Sequence, residues 1–157
     1  MQNMKNRKDL LIRKNRQRLY CAELNKVLKN VKEDDFLDID KTKKISNMII
    51  EKMNTMDKEG ESITYNISAD CKKLVCEGKK MIRVHSKIPL VFFQYNSGQL
   101  GAISFAENTI SSYLEFLYQQ SGLAQGKSDF ILTDYNLNFG YCIWKSEYEI
   151  KLYSWTN

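Results

Sequence analysis

Proline occurs once in this chain, at Pro89, and glycine only seven times. So little breaker material leaves no room for a Pro/Gly-rich linker or a low-complexity tract. With no internal repeat, 157 residues suit one domain, 1–157, better than two. Long apolar runs are missing as well, since nothing approaches the roughly 20 consecutive apolar residues that cross a bilayer. The basic opening segment is followed only by Leu10, Leu11 and Ile12 before Arg13 and Lys14 intervene, too short an apolar core for a signal peptide. The expectation is a cytoplasmic protein without membrane contact, whose four cysteines (Cys21, Cys71, Cys76, Cys142) are free thiols.

Histidine is equally scarce. His85 stands alone at the end of an expected strand, Met81–His85, with Arg83 on the same face. General-base work needs an orienting carboxylate and a reacting partner, and no G-x-S-x-G or paired cysteine accompanies it. The reading is a partly buried imidazole bonded to backbone. Cys71 and Cys76 lack the second ligand pair that a structural zinc requires. Phosphate-cradling glycine motifs are absent too. An enzyme built on His85 or on the carboxylates is therefore the least favoured class, and no metal or cofactor is expected.

What is present is charge, unevenly placed. The net charge is +5, yet residues 1–20 alone hold Lys5, Arg7, Lys8, Arg13, Lys14, Arg16 and Arg18 against Asp9. This basic helical leader, 1–18, precedes a mildly acidic body. Nucleic-acid binding is its sharp reading. A solvated helix end, or a contact with an acidic partner, is the other, because no aromatics are interleaved where bases would stack.

The apolar pattern predicts a helix over Lys5–Lys32, with Tyr20, Leu24, Val27, Leu28 and Val31 on one stripe. A second is predicted over Thr42–Met56, ended by Gly60. Alternation then predicts strands at Ile63–Ile67, Lys73–Cys76, Met81–His85, Leu90–Tyr95 and Leu100–Ser104. Ser104 with Glu107 reads as a capping box for one inserted helix near 105–121. A strand at Phe130–Thr133 and a hairpin of Phe139–Trp144 with Tyr148–Trp155 close the chain. Segregated runs of this kind give an α+β class: N-terminal helices and an antiparallel sheet of about five to seven strands.

Two features suggest contact surfaces. Glu33, Asp34, Asp35, Asp38 and Asp40 form the densest carboxylate cluster, without the glycine and distal glutamate of a calcium loop. It reads either as helix capping on a solvated face or as an electronegative patch for a basic partner. In the last strand, Tyr148, Ile150 and Leu152 share one face, while Glu149, Lys151, Tyr153 and Trp155 share the other. The second face mixes charge with large aromatics, as binding patches do.

The run Phe130-Ile-Leu-Thr-Asp134-Tyr-Asn-Leu-Asn-Phe-Gly-Tyr-Cys-Ile-Trp144, followed by Tyr148-Glu-Ile-Lys-Leu-Tyr153, resembles the C-terminal hairpins of small bacterial immunity proteins. These neutralise polymorphic or contact-dependent-inhibition toxins. The resemblance implies a stoichiometric inhibitor whose partner is a cognate toxin domain, often a nuclease. It assigns no functional residue. Many such nuclease inhibitors are acidic overall, whereas the positive excess here lies wholly in residues 1–20. The acidic cluster, with Tyr153 and Trp155, is the partner-binding set that charge and composition suggest. The alternative is a nucleic-acid-binding module that uses the basic leader.

Overall fold

The computed structural model describes residues 2–106 and 110–157. It is an α+β structure, with helices on both faces of an antiparallel sheet. Helix α1 (Gln2–Leu24) opens the chain, followed by a 3-10 turn (Glu33–Asp35) and helix α2 (Ile39–Glu59). Strand β1 (Ile63–Asn66), helices α3 (Cys71–Glu77) and α4 (Lys79–His85) and strand β2 (Leu90–Phe92) come next. One helical turn, α5 (Ser97–Leu100), leads into strand β3 (Ile103–Phe105). A second 3-10 turn (Ile110–Tyr113) then runs into helix α6 (Leu114–Gln120). Strands β4 (Asp129–Asp134), β5 (Phe139–Lys145) and β6 (Glu149–Thr156) finish the chain.

The six strands lie in the order β1-β6-β5-β4-β2-β3, every neighbouring pair antiparallel. The C-terminal meander β4–β5–β6 is thus the middle of the sheet. Alternation along its strands feeds two cores. Phe130, Leu132, Tyr141, Ile143, Ile150 and Leu152 meet the end of α1 and helices α3, α4 and α6. Ile131, Cys142, Tyr153 and Trp155 meet Ile45, Ile49 and Met56 of α2. Both faces of the central strands are therefore covered, and residues 130–134 of β4 and 139–143 of β5 are buried without a break.

Local sequence explains the element ends. Asp38 caps α2, its carboxylate accepting from the Lys41 amide at 2.6 Å, and Gly60 closes the helix in the left-handed region at φ 69°. Helix α1 stops at Leu24 rather than at Lys32, as its periodicity predicts. Its apolar stripe does continue, through the buried Leu28 and Val31, but not in helical form. The Asn25 amide takes both backbone groups of Val31, donating to its carbonyl and accepting from its N–H at 2.8 Å each, and so turns the chain out of the helix.

The predicted strands at Lys73–Cys76 and Met81–His85 are instead helices α3 and α4. The buried residues Cys71, Leu74, Val75 and Ile82 carry the reason: their spacing is helical, and Asp70 caps the start by accepting from the Lys73 amide at 3.2 Å. Asn96-Ser97-Gly98 opens α5, and the strand predicted at Leu100–Ser104 begins only at Ile103. Ser104 lies inside β3, paired with Val91, so it caps no helix; its proposed partner Glu107 lies outside the described residues. Among the described residues, no helix is long and apolar enough to cross a membrane.

Candidate functional site

A single helix, α2, lies over the Val91–Ile131–Cys142–Tyr153 face of a six-stranded sheet. A helix is about 10 Å across and six strands span more than twice that width. A groove results on each flank. Ile50, Met53, Asn54 and Asp57, spaced for one side of the helix, face Trp144, Glu149, Lys151 and Tyr153 across a groove of about 450 Å³. On the opposite side, Lys41, Lys44 and Met48 face Tyr135 and Asn136, with Asp38 and Asp40 at the end of the groove.

The first groove combines an apolar centre with a fixed polar rim. Ile50 is half exposed (51%) despite its size, Met53 and Trp144 are partly buried, and the Asp57 carboxylate gathers three donors. These are the Ser62 hydroxyl at 2.8 Å, the Tyr153 hydroxyl at 3.0 Å and the Lys151 ammonium at 3.3 Å. Lys151 also reaches Glu149 at 3.6 Å. Burial pushes the Asp57 carboxyl up, but the donors outweigh it and hold the group below the usual carboxylate range. The same carboxylate pushes up the Tyr153 hydroxyl, already raised by burial. The network ties the end of α2 to β6 and fixes the groove's shape.

The residues singled out from sequence separate into three places. Tyr153 and Trp155, expected on an exposed mixed face, are instead core: both are buried beneath α2, with the Trp155 indole N–H donating to the Leu137 carbonyl at 2.9 Å. Only Glu149 and Lys151 of that face reach the surface, because β6 begins beside α2 and then runs under it. The acidic cluster is divided. Asp35 accepts from the Lys32 amide, and Asp38 caps α2. Glu33 and Asp34 are exposed and border a groove with Lys14 and Arg18 of α1, while Asp40 stands with Asp38 on the far flank of α2. Burial, with Glu33 and Asp35 adding to it, pushes the Cys21 thiol up to about 11.

Lys5, Arg7, Lys8, Arg13, Lys14, Arg16 and Arg18 all lie on α1, whose buried residues are Tyr20, Cys21 and Leu24 near its end. Residues 2–12 are exposed throughout and project as an arm, while Arg16 and Gln17 bond to Gln99 and to the Leu100 carbonyl of α5 at the arm's foot. His85 ends α4 with its ring stacked on Phe139, centroids 4.8 Å apart at 12°. Three of the four cysteines are buried and Cys76 is exposed, all of them free. Among the described residues, no three His, Cys, Asp or Glu side chains gather closely enough to hold a metal ion. Trp144, Met53 and Ile50 were missed from sequence. Exposed apolar residues on a helix that is otherwise half buried were the available signal.

The family model described as YxiF protein matches residues 21–155, most of the chain. The chain belongs to the YxiF family. The matched stretch takes in all six strands but for Thr156, and both grooves beside α2, and it leaves out all seven cations of the α1 arm. Neither curated proteins nor solved structures gave a match.

Proposed function

We propose that this YxiF protein is a cytoplasmic interaction protein of the immunity type, which binds a cognate toxin domain one-to-one and masks it without catalysing a reaction. The observation that carries this reading is the groove between α2 and β5–β6. It sets Trp144, Met53 and the exposed Ile50 within a rim of Asp57, Glu149 and Lys151. Aromatic and methionine side chains at the centre with charge at the edge are what protein interfaces concentrate. The Asp57 network supports the reading in a second way. A wall already held by three donors loses little freedom on binding, so less of the contact energy goes into ordering it.

The adjoining sheet edge adds to this. β1 pairs with β6 alone, whereas β3 at the other edge is bridged by Phe36. β1 reads Ile-Thr-Tyr-Asn, with neither charge nor proline to blunt it, and Ile63 is half exposed (50%). An extended segment of a partner can add to that edge.

Expressing the toxin domain of a neighbouring gene should arrest growth, and co-expressing this chain should restore it. Trp144→Ala together with Ile50→Glu should abolish the rescue while the protein stays folded by circular dichroism. If the wild-type chain gives no rescue, the immunity reading fails. If the folded double variant rescues fully, the groove is not the contact surface.

A further inference from the structure

Among the described residues, no ion pair includes any of the seven cations of the arm; Asp9 is the arm's only acid, and Lys14 and Arg18 share a groove with Glu33 and Asp34 without pairing. Such density on one projecting helix calls for a polyanion. At the foot of the arm, a groove of about 520 Å³ separates α1 from the β2–α5 corner. Tyr95 stands in it four-tenths exposed (40%), braced edge-on against Tyr20, with ring centroids 6.1 Å apart at 88°. The Arg16 guanidinium crosses the groove to the Gln99 amide oxygen at 3.3 Å. Lys127 comes from the body to donate to the Tyr95 carbonyl at 3.1 Å. The one acid lining the groove, Glu23, is already paired with Lys26 at 2.9 Å.

We propose that the arm and this groove together bind single-stranded nucleic acid, with a base stacked on Tyr95 beside Arg16 and Gln99 and the phosphates following the cations up the helix. Lys5 lies three helical turns from Arg16 on the same side, and Lys8 likewise from Leu19, so two cations, with Asp9 beside them, continue this side of the helix away from the ring, while Arg7, Lys14 and Arg18 lie on the opposite side. The structure supplies the aromatic that the arm's own sequence lacks. An anionic membrane fits less well, because Met4, Leu11, Ile12 and Leu19 share one side of the helix only with Lys8 and Asn15 set among them, and Leu10 lies off it. An acidic protein would satisfy the charge but has no use for an exposed ring between guanidinium and amide. This proposal does not depend on the immunity reading and uses a different surface.

The test is fluorescence anisotropy of the full chain with a labelled single strand of about 20 nucleotides and with the matching duplex, at roughly 50 and 200 mM salt. The single strand should bind more tightly. Tyr95→Ala should weaken it by roughly five- to a hundredfold and leave the duplex unchanged, while Tyr95→Phe retains binding. Lys5→Gln with Lys8→Gln should flatten the salt slope for the single strand by about 1.4, two phosphate contacts at roughly 0.7 each. Absence of binding at the lower salt overturns the proposal. So does equal affinity for both strands' forms with Tyr95→Ala silent, and so does polyglutamate competing as well as polyphosphate, the mark of an acidic protein partner.

Discussion

Gly140 and Trp155 face each other across the β5–β6 hairpin, and the indole lies where a Cβ on Gly140 would be. The backbone of Gly140 is not in the left-handed region, so replacement by alanine costs nothing there and the penalty is steric alone. The ring cannot easily retreat. It is 7% exposed, its N–H is bonded to the Leu137 carbonyl, and the Lys52 ammonium sits 6.0 Å from its centre. Overpacking of this kind costs about 1–3 kcal/mol, so Gly140→Ala should lower Tm by roughly 2–12 °C in a protein of this size. Trp155→Ala alone should cost about 3–5 kcal/mol.

The informative measurement is the pair. Once the indole is gone, alanine at 140 meets empty space and gains the roughly 0.5–1 kcal/mol by which it outperforms glycine in a strand. The double variant should therefore be more stable than the summed single costs imply, by about 1.5–4 kcal/mol. Urea unfolding followed by far-UV circular dichroism reads this as midpoint shifts at constant m. Additivity within about 0.5 kcal/mol would refute the reasoning, since two residues in steric conflict cannot act independently.

Two other expectations concern carboxylates. Asp38→Ala should destabilise by about 1 kcal/mol through loss of the α2 cap, and Asp38→Asn by much less, because asparagine accepts from the same Lys41 amide; equal losses in thermal melts would mean that charge, not the cap, is at work. Burial pushes the Asp129 carboxyl above the usual range, with Lys127 only partly offsetting it. At a pH above its folded pKa the native state then bears the cost of a poorly solvated charge, a cost that disappears as pH falls below about 3.9, where the unfolded chain is protonated too. Asp129→Asn should raise Tm at pH 7, with the gain shrinking toward pH 3; a lower Tm at pH 7 would show that the carboxylate anchors its loop.

Where long stripes exist, the sequence was a good guide. Ile45, Ile49 and Met56 sit four and seven residues apart and place α2 without ambiguity. The seven-residue helices α3 and α4 were misread because a window that short fits either period, and Met81-Ile82-Arg83-Val84-His85 is rich in strand formers. Joining the two windows across Gly78 would have exposed the helical spacing of Cys71, Leu74, Val75 and Ile82. The pairing of β1 with β6 joins Ile63 to Leu152, a contact too remote in sequence for any local pattern to register. The grooves followed the same limit. Alternation did put Glu149, Lys151, Tyr153 and Trp155 on one face, but which part of that face is open depends on where α2 crosses it.

The net charge of +5 describes neither surface. Residues 21–155, the matched stretch, are close to neutral, so a partner proposed for the Asp57 groove would be recognised by shape and local polarity rather than by long-range steering. The arm is the opposite case. Little of it packs on the body, and packing is where most helical stability comes from. Lys14 and Arg18 are like charges four residues apart, as are neighbours three apart such as Lys5 with Lys8 and Arg13 with Arg16, and each such pair opposes the helix. A bound polyanion removes that repulsion, so the arm's helix and its ligand stabilise each other by the same amount. On the two proposals, steering by charge belongs to the arm and selectivity among proteins to the body.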